Sequence, residues 1–304
     1  MKIIQLEELI EERKCRYFDR TFSEDKENSI ETFRQWLISQ RYSIKTVKSY
    51  IHGIRTFLGY FRNKRTDEIA NEDVVNFSYK YVIGNNLSAS LQNQIISAIK
   101  LYYCTTLKKD ICIDEINRPN RPKRLPDIFS QSEVEKLLKS IINTKHRVML
   151  ALIYACGLRR SELINLRINA IDSKRRLLII RGGKGNKDRV VPLPKAMIDM
   201  LRAYYMMYKP KYWLFEGHEE GRQYSESSIQ HVFEQAVRKS GIKKDITLHS
   251  LRHSYATHLL ENGVDLRFIQ ELLGHRSSKT TEIYTHVTEK SIEKIKSPFE
   301  NLNL

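Results

Sequence analysis

Residues 251–263 read LRHSYATHLLENG, with His249 and Ser250 just before them. Segment 249–261 has the periodicity of a helix. His249 and His253 stand four residues apart, the spacing of two metal ligands on one helix face. No glutamate lies between them as in the HExxH pattern, so a zinc site is not expected here. The remaining chemistry of the stretch is a histidine followed three residues later by an arginine, His249-Ser250-Leu251-Arg252.

Reading outward, a helical segment over 266–273 runs into Leu273-Gly274-His275, and Tyr284 follows nine residues later within a further helical segment at 280–286. Upstream, the apolar runs 176–180 and 189–193 flank a Gly-Lys-Gly-Asn-Lys-Asp turn, which predicts a β-hairpin with Lys184 on its tip. Helices are expected at 195–208 and 226–239. Farther upstream, a helical run through 148–153 is followed by Gly157-Leu158-Arg159-Arg160-Ser161-Glu162-Leu163, with Gly157 placed to end that helix. Ser130-Gln131-Ser132-Glu133 is a capping box before Val134, Leu137 and Leu138.

The first half reads as helices only. Phe33, Trp36 and Leu37 mark one at 30–40. Ser43 caps a long one reaching to 63, and two more are expected at 73–82 and 88–107. Lys45, Lys48, Arg55, Arg62, Lys64 and Arg65 fall on the polar faces. A Pro-rich basic break at 117–126 reads as a linker. The chain has 304 residues and 41% hydrophobic content, enough for two domains with separate cores. Its 52 Lys and Arg against 36 Asp and Glu give a formal net charge of +16, an attractive field for a polyanion. Apolar runs such as 148–156 are too short to span a bilayer. The N-terminus has no signal-peptide core, so a cytoplasmic protein is expected. The four cysteines, at 15, 104, 112 and 156, fit no zinc or redox spacing and read as free thiols.

Singly, each chemical residue has an ordinary explanation: Arg159 as a partner of a helix dipole, Lys184 as a solvated turn residue, His275 as a turn histidine, Tyr284 as a core aromatic. In this order and spacing, the four motifs resemble the tyrosine recombinase (phage integrase) family, its Xer branch in particular. LRHSYATHLLENG, IQELLGH and TTEIYTHV look very like that family's C-terminal boxes. The resemblance is close over 125–296, and before that it lies in helical pattern more than in motif.

The resemblance implies a mainly α chain: an N-terminal helical core-binding (SAM-like) bundle at 24–110, a basic linker at 111–124, and an α+β catalytic domain with a small antiparallel sheet and a C-terminal tail at 125–304. It implies an enzyme that cuts and rejoins duplex DNA through a 3′-phosphotyrosine. Cleavage passes through a pentacoordinate phosphorus, so positioning and charge stabilisation do most of the work. Arg159 and Arg252 match the family's phosphate clamp, each a permanently charged planar fork. His275 matches a further hydrogen-bond donor to the phosphate, Tyr284 the nucleophile, Lys184 the general acid and His249 a proton-handling position. Glu162 matches an acidic residue expected to orient Arg159 or His249. No cofactor and no metal are expected. The implied partners are double-stranded DNA with a specific recombination site and other copies in a homotetramer on that DNA, or a paralogous recombinase, with no membrane. The final segment after 289 is too short to stand alone and must dock on its own domain or on a neighbour, and the resemblance implies an adjacent protomer. Two rivals stay open: a type IB topoisomerase-like relaxing enzyme, and a DNA-binding accessory protein that has lost catalysis. The sequence does not name the DNA site, nor choose among integration, excision, inversion and dimer resolution.

Overall fold

Two sets of buried side chains, one in each half of the chain, form separate cores. The structure, a computed structural model, describes residues 22–108, 127–182, 188–274 and Thr281. They fall into two units, one within residues 1–123 and the other within 124–304.

The first unit is helical. Helix α1 (Glu24–Ser39) starts six residues earlier than its apolar pattern, and its first turn carries Glu24, Asp25 and Glu27, which suit the positive end of the dipole. Ser43 caps α2 (Ile44–Tyr60), its Oγ accepting from the Thr46 amide at 3.1 Å. Helix α2 packs along α4 (Ala89–Tyr102), with Ile51, Ile54, Phe57, Ile95 and Ile99 buried between the elements. Two expected helices prove to be composite. Helix α3 (Asn71–Phe77) passes into a π-helical turn over Ser78–Ile83, and α4 into another over Tyr103–Leu107. At the second junction Tyr102 and Tyr103, neighbours in sequence, are both fully buried. Tyr102 Oη meets Ser29 Oγ at 2.7 Å, and Tyr103 Oη donates to the Thr66 carbonyl at 3.1 Å. On the polar faces, Arg55, Lys64 and Arg65 are held by Glu27, Asp73 and Asp67.

The second unit is built around α6 (Thr144–Cys156), whose residues from Val148 to Ile153 are all buried. Before it, α5 (Gln131–Lys139) has the expected capping box: Ser130 Oγ accepts from the Glu133 amide, and Glu133 Oε2 accepts from the Ser130 amide. A short helix, α7 (Arg160–Ile164), follows Gly157. The sheet has antiparallel order β1-β2-β3: β1 (Ile171–Asp172), β2 (Leu177–Ile180) and β3 (Arg189–Pro192). The hairpin strands lie where alternation predicts them, with Leu178 opposite Val191 and Ile180 opposite Arg189. β1 was not foreseen, because two residues are too few to show a period of two. Then come α8 (Lys195–Tyr208), α9 (Glu226–Ser240), α10 (Leu248–Glu261) and α11 (Leu266–Leu273). Helices α8 and α10 pack on α6. A smaller cluster of Ala256, Ile269 and Leu273 joins α10 to α11.

Cys104 and Cys156 are free thiols. Among the described residues no helix is long and apolar enough to cross a membrane. The segments expected at 111–124 and 289–295, the hairpin tip with Lys184, and the helix expected at 280–286, Thr281 apart, lie outside the described residues.

Candidate active site

The site starts at a turn. Gly157 ends α6 at φ +59°, a left-handed conformation costly for any residue with a Cβ. It is also crowded: a Cβ there would lie 2.5 Å from Tyr255 Cδ1 on α10. The chain then turns into α7, with Arg159 as its N-cap residue. That placement differs from the helix-C-terminus role open to Arg159 in the sequence.

Glu162, three residues into α7, reaches back. Its Oε2 accepts from the Arg159 amide at 2.7 Å, and its Oε1 from Arg159 Nη1 at 2.7 Å. The same two oxygens accept from Arg189 Nη1 and Nη2 on β3, both at 2.7 Å. Arg252 Nη1 stands 3.8 Å from Glu162 Oε2. Burial by itself would raise the Glu162 pKa. The hydrogen bonds and charge of Arg189, then the backbone and side-chain hydrogen bonds of Arg159, overturn that and hold it at about 2.

The three arginines share a second target. A helix leaves its last carbonyls without intrahelical partners, at the negative end of its dipole. At the end of α11, Leu272 O accepts from Arg189 Nε at 2.8 Å, Leu273 O from Arg252 Nη2 at 2.6 Å, and Gly274 O from Arg159 Nη2 at 3.3 Å. Arg252 is 1% exposed and also donates to the Gly157 carbonyl. One side chain of α10 thus ties the end of α6 to the end of α11, next to position 275.

His249 stands on α10, at the surface. Desolvation by its neighbours, then the charges of Arg252 and Arg159, lower its pKa, while Glu162 works the other way. His253 packs edge-to-face against it with centroids 4.5 Å apart. Burial, then His249 and Arg252, push the His253 pKa down to about 4. Both rings are therefore mainly neutral near pH 7. With three guanidinium groups and one carboxylate, the cluster is strongly positive, and it is suited to an anion with several oxygens.

Of the residues singled out in the sequence, Arg159, Glu162, His249 and Arg252 come together here. Lys184, His275 and Tyr284 lie outside the described residues. Glu162 hydrogen-bonds Arg159, and its other guanidinium partner, Arg189, escaped the sequence reading. A signal existed. Strand alternation puts Arg189 on the side of buried Val191 rather than exposed Val190, and an inward arginine calls for a buried acid.

Residues 127–291 match the phage integrase family, and residues 29–113 match the N-terminal SAM-like domain of phage integrases. Tyrosine recombinase XerA of Thermococcus kodakarensis is 35% identical over 270 residues, covering 87% of this chain and 93% of that protein. Tyrosine recombinase XerD of Oceanobacillus iheyensis is 34% identical over 287 residues, covering 86% and 94%. The crystal structure of XerH site-specific recombinase on its palindromic difH substrate, a post-cleavage complex, has the same fold, with a TM-score of 0.72, 22% identity and coverage of 95% and 93%. A SAM-like helical unit before an arginine-centred catalytic unit is the arrangement of a DNA strand-transferring enzyme. The chain belongs to the phage integrase family, and within it to the tyrosine recombinases.

Proposed function

We propose that this tyrosine recombinase cuts and rejoins a specific double-stranded DNA site through a 3′-phosphotyrosine at Tyr284. The observation that carries the reading is the gathering of Arg159, Arg252 and His249 around one buried, ionised carboxylate. The two arginines clamp the non-bridging oxygens of the scissile phosphate, and His275 adds a hydrogen bond. Tyr284 Oη bonds to phosphorus as the bond from phosphorus to the 5′ oxygen breaks. The phenolic proton passes to neutral His249, and Lys184 supplies a proton to the departing 5′ oxygen. In rejoining, a 5′ hydroxyl attacks the phosphotyrosine and the phenol leaves, so the energy of the broken bond is kept and no ATP is needed. The working assembly is a homotetramer on DNA, or one shared with a paralogous recombinase, because four strands are exchanged. It works in the cytoplasm.

The test uses a duplex selected by the wild-type chain from a random-sequence library and nicked next to the scissile phosphate, so that cleavage traps the covalent complex. Wild-type protein should form an adduct resistant to denaturation. Tyr284→Phe should bind the duplex in a gel shift and form none. An adduct with the Phe variant would overturn the assignment.

A further inference from the structure

We propose that Arg189 is a positioning residue for strand cleavage: it neutralises Glu162 and pins the end of α11, leaving the charge of Arg159 and Arg252 for the phosphate. This rests on the reading of those two arginines as the phosphate clamp.

Arg189 opens β3 and shares its inward face with Val191, and its side chain is only 8% exposed. A buried charge without a partner is strongly unfavourable, so the position is built around its acid. That acid is Glu162, met by two parallel hydrogen bonds, the strongest geometry an arginine and a carboxylate can adopt. Arg159 shares one of those oxygens, and Arg252 lies just beyond hydrogen-bond range of the other. Three guanidinium groups therefore compete for one carboxylate, and Arg189 holds it by both oxygens.

Removing Arg189 would hand Glu162 to the other two. A buried carboxylate attracts whatever positive charge remains, so Arg159 and Arg252 would turn toward it and offer fewer donors to a phosphate. The hold on α11 works in the same direction. Arg189 Nε binds the Leu272 carbonyl, and a Cβ on Gly274 would lie 3.1 Å from Arg189 Cδ. Glycine at 274 thus meets two needs, a φ of +62° and room for the arginine stem, immediately before His275. Arg189 also lies five residues after Lys184, on the strand that leaves the hairpin tip. One side chain joins the hairpin, the Glu162–Arg159 pair and the end of α11 without having to touch DNA.

The experiment uses the full-length chain and the selected, nicked duplex. It measures binding by gel shift, single-turnover adduct formation and thermal melting for Arg189→Gln, Arg189→Lys, Glu162→Gln and the double variant Glu162→Gln/Arg189→Gln. Arg189→Gln should slow adduct formation by about 10–100-fold, the usual size for a residue that orients reacting groups, with affinity nearly unchanged. Arg189→Lys should recover part of the rate, because a point charge neutralises Glu162 but cannot form the fork. The double variant should react less than about 10-fold more slowly than Glu162→Gln, because no carboxylate is left to neutralise and only the Leu272 contact is lost. A wild-type rate in Arg189→Gln overturns the proposal, and so do losses that multiply in the double variant, as independent structural damage would. If Arg189→Gln does not fold, the double variant, whose two amides can pair, decides: a rate within about 10-fold of Glu162→Gln supports coupling, and a larger loss overturns it. Tyr284→Phe and Arg159→Ala run alongside. Normal cleavage by Arg159→Ala would remove the underlying clamp reading, and adducts with Tyr284→Phe would remove Tyr284 as the nucleophile. A normal rate in Arg189→Gln with both controls inactive removes this inference alone.

Discussion

Gly157 concentrates two demands in one residue. Its backbone sits at φ +59°, and Tyr255 Cδ1 occupies the space a Cβ would need, 2.5 Å away. Its carbonyl accepts from Arg252. Gly157→Ala should therefore lose about 1–2 kcal/mol for the backbone and about 1–3 kcal/mol more for displacing the ring. Gly241 is the natural control: it has φ +67°, but nothing lies within 4 Å of its missing Cβ. Urea unfolding should show Gly157→Ala clearly less stable than Gly241→Ala, and equal losses would mean that crowding by Tyr255 costs nothing. A thiolate leaves without a proton, so replacing the scissile 5′ oxygen with sulfur should restore cleavage to Lys184→Ala. If the sulfur duplex is cut no faster than the oxygen one, Lys184 is not the acid.

At the scale of an element, α10 behaves as a pH-sensitive part. His253 has a pKa of about 4 against an ordinary 6.5, and that of His249 is also lowered. The folded state therefore binds fewer protons at His253 than the unfolded chain between pH 6.5 and about 4. Stability from His253 is fully present above pH 6.5 and is lost as pH falls toward 4, at most about 1.4 kcal/mol per pH unit, and that from exposed His249 is lost in the same direction. Glu162 behaves differently: with a pKa of about 2 against 4.5, its contribution is lost only as pH falls below 4.5. Thermal melts at pH 7, 5.5 and 4.5 should show the midpoint dropping in the wild type and dropping less in His253→Gln. Parallel curves for the two proteins would exclude His253 as the group being titrated. The helix also anchors the start of its unit. Ser254 Oγ accepts from the Phe129 amide at 2.8 Å and donates to the Ser250 carbonyl, so a small hydroxyl satisfies two buried backbone groups.

At the scale of the whole molecule, charge and its local pairing together set how DNA is held. The net charge of +16 predicts affinity that falls steeply with salt, because each neutralised phosphate releases counterions. Not every cation on the first unit is equally placed to contribute. Arg55 is tied to Glu27, whereas Lys48 and Arg62 are exposed. The double variant Lys48→Gln/Arg62→Gln should weaken binding and reduce the slope of log affinity against log salt by about 1 for each phosphate that is no longer neutralised. Arg55→Gln should change it less, since that arginine must leave its carboxylate to reach a phosphate. Titrations at several salt concentrations check this, and equal slopes for all three proteins would show that Lys48, Arg55 and Arg62 do not meet the DNA backbone.

Short-range rules made much of this protein legible from its residues alone. The capping box at Ser130 and Glu133, the Ser43 cap, the Gly157 turn and the alternation of β2 and β3 depend on neighbours a few positions apart. The order of the motifs carrying Arg159, Lys184, His249, Arg252, His275 and Tyr284 pointed to the family before any geometry. The same rules failed where the backbone departs from a regular period, as in the π-helical turns after Phe77 and Tyr102. What only the tertiary structure decided is which charges meet. Arg189 finds Glu162 across 27 residues, and positions 159, 189 and 252 converge on three consecutive carbonyls, 272–274. Periodicity tells that an arginine faces inward, because sterics and burial repeat along the chain. It does not tell which carboxylate neutralises it, because that choice is made by electrostatics between distant segments once the fold has removed the water between them.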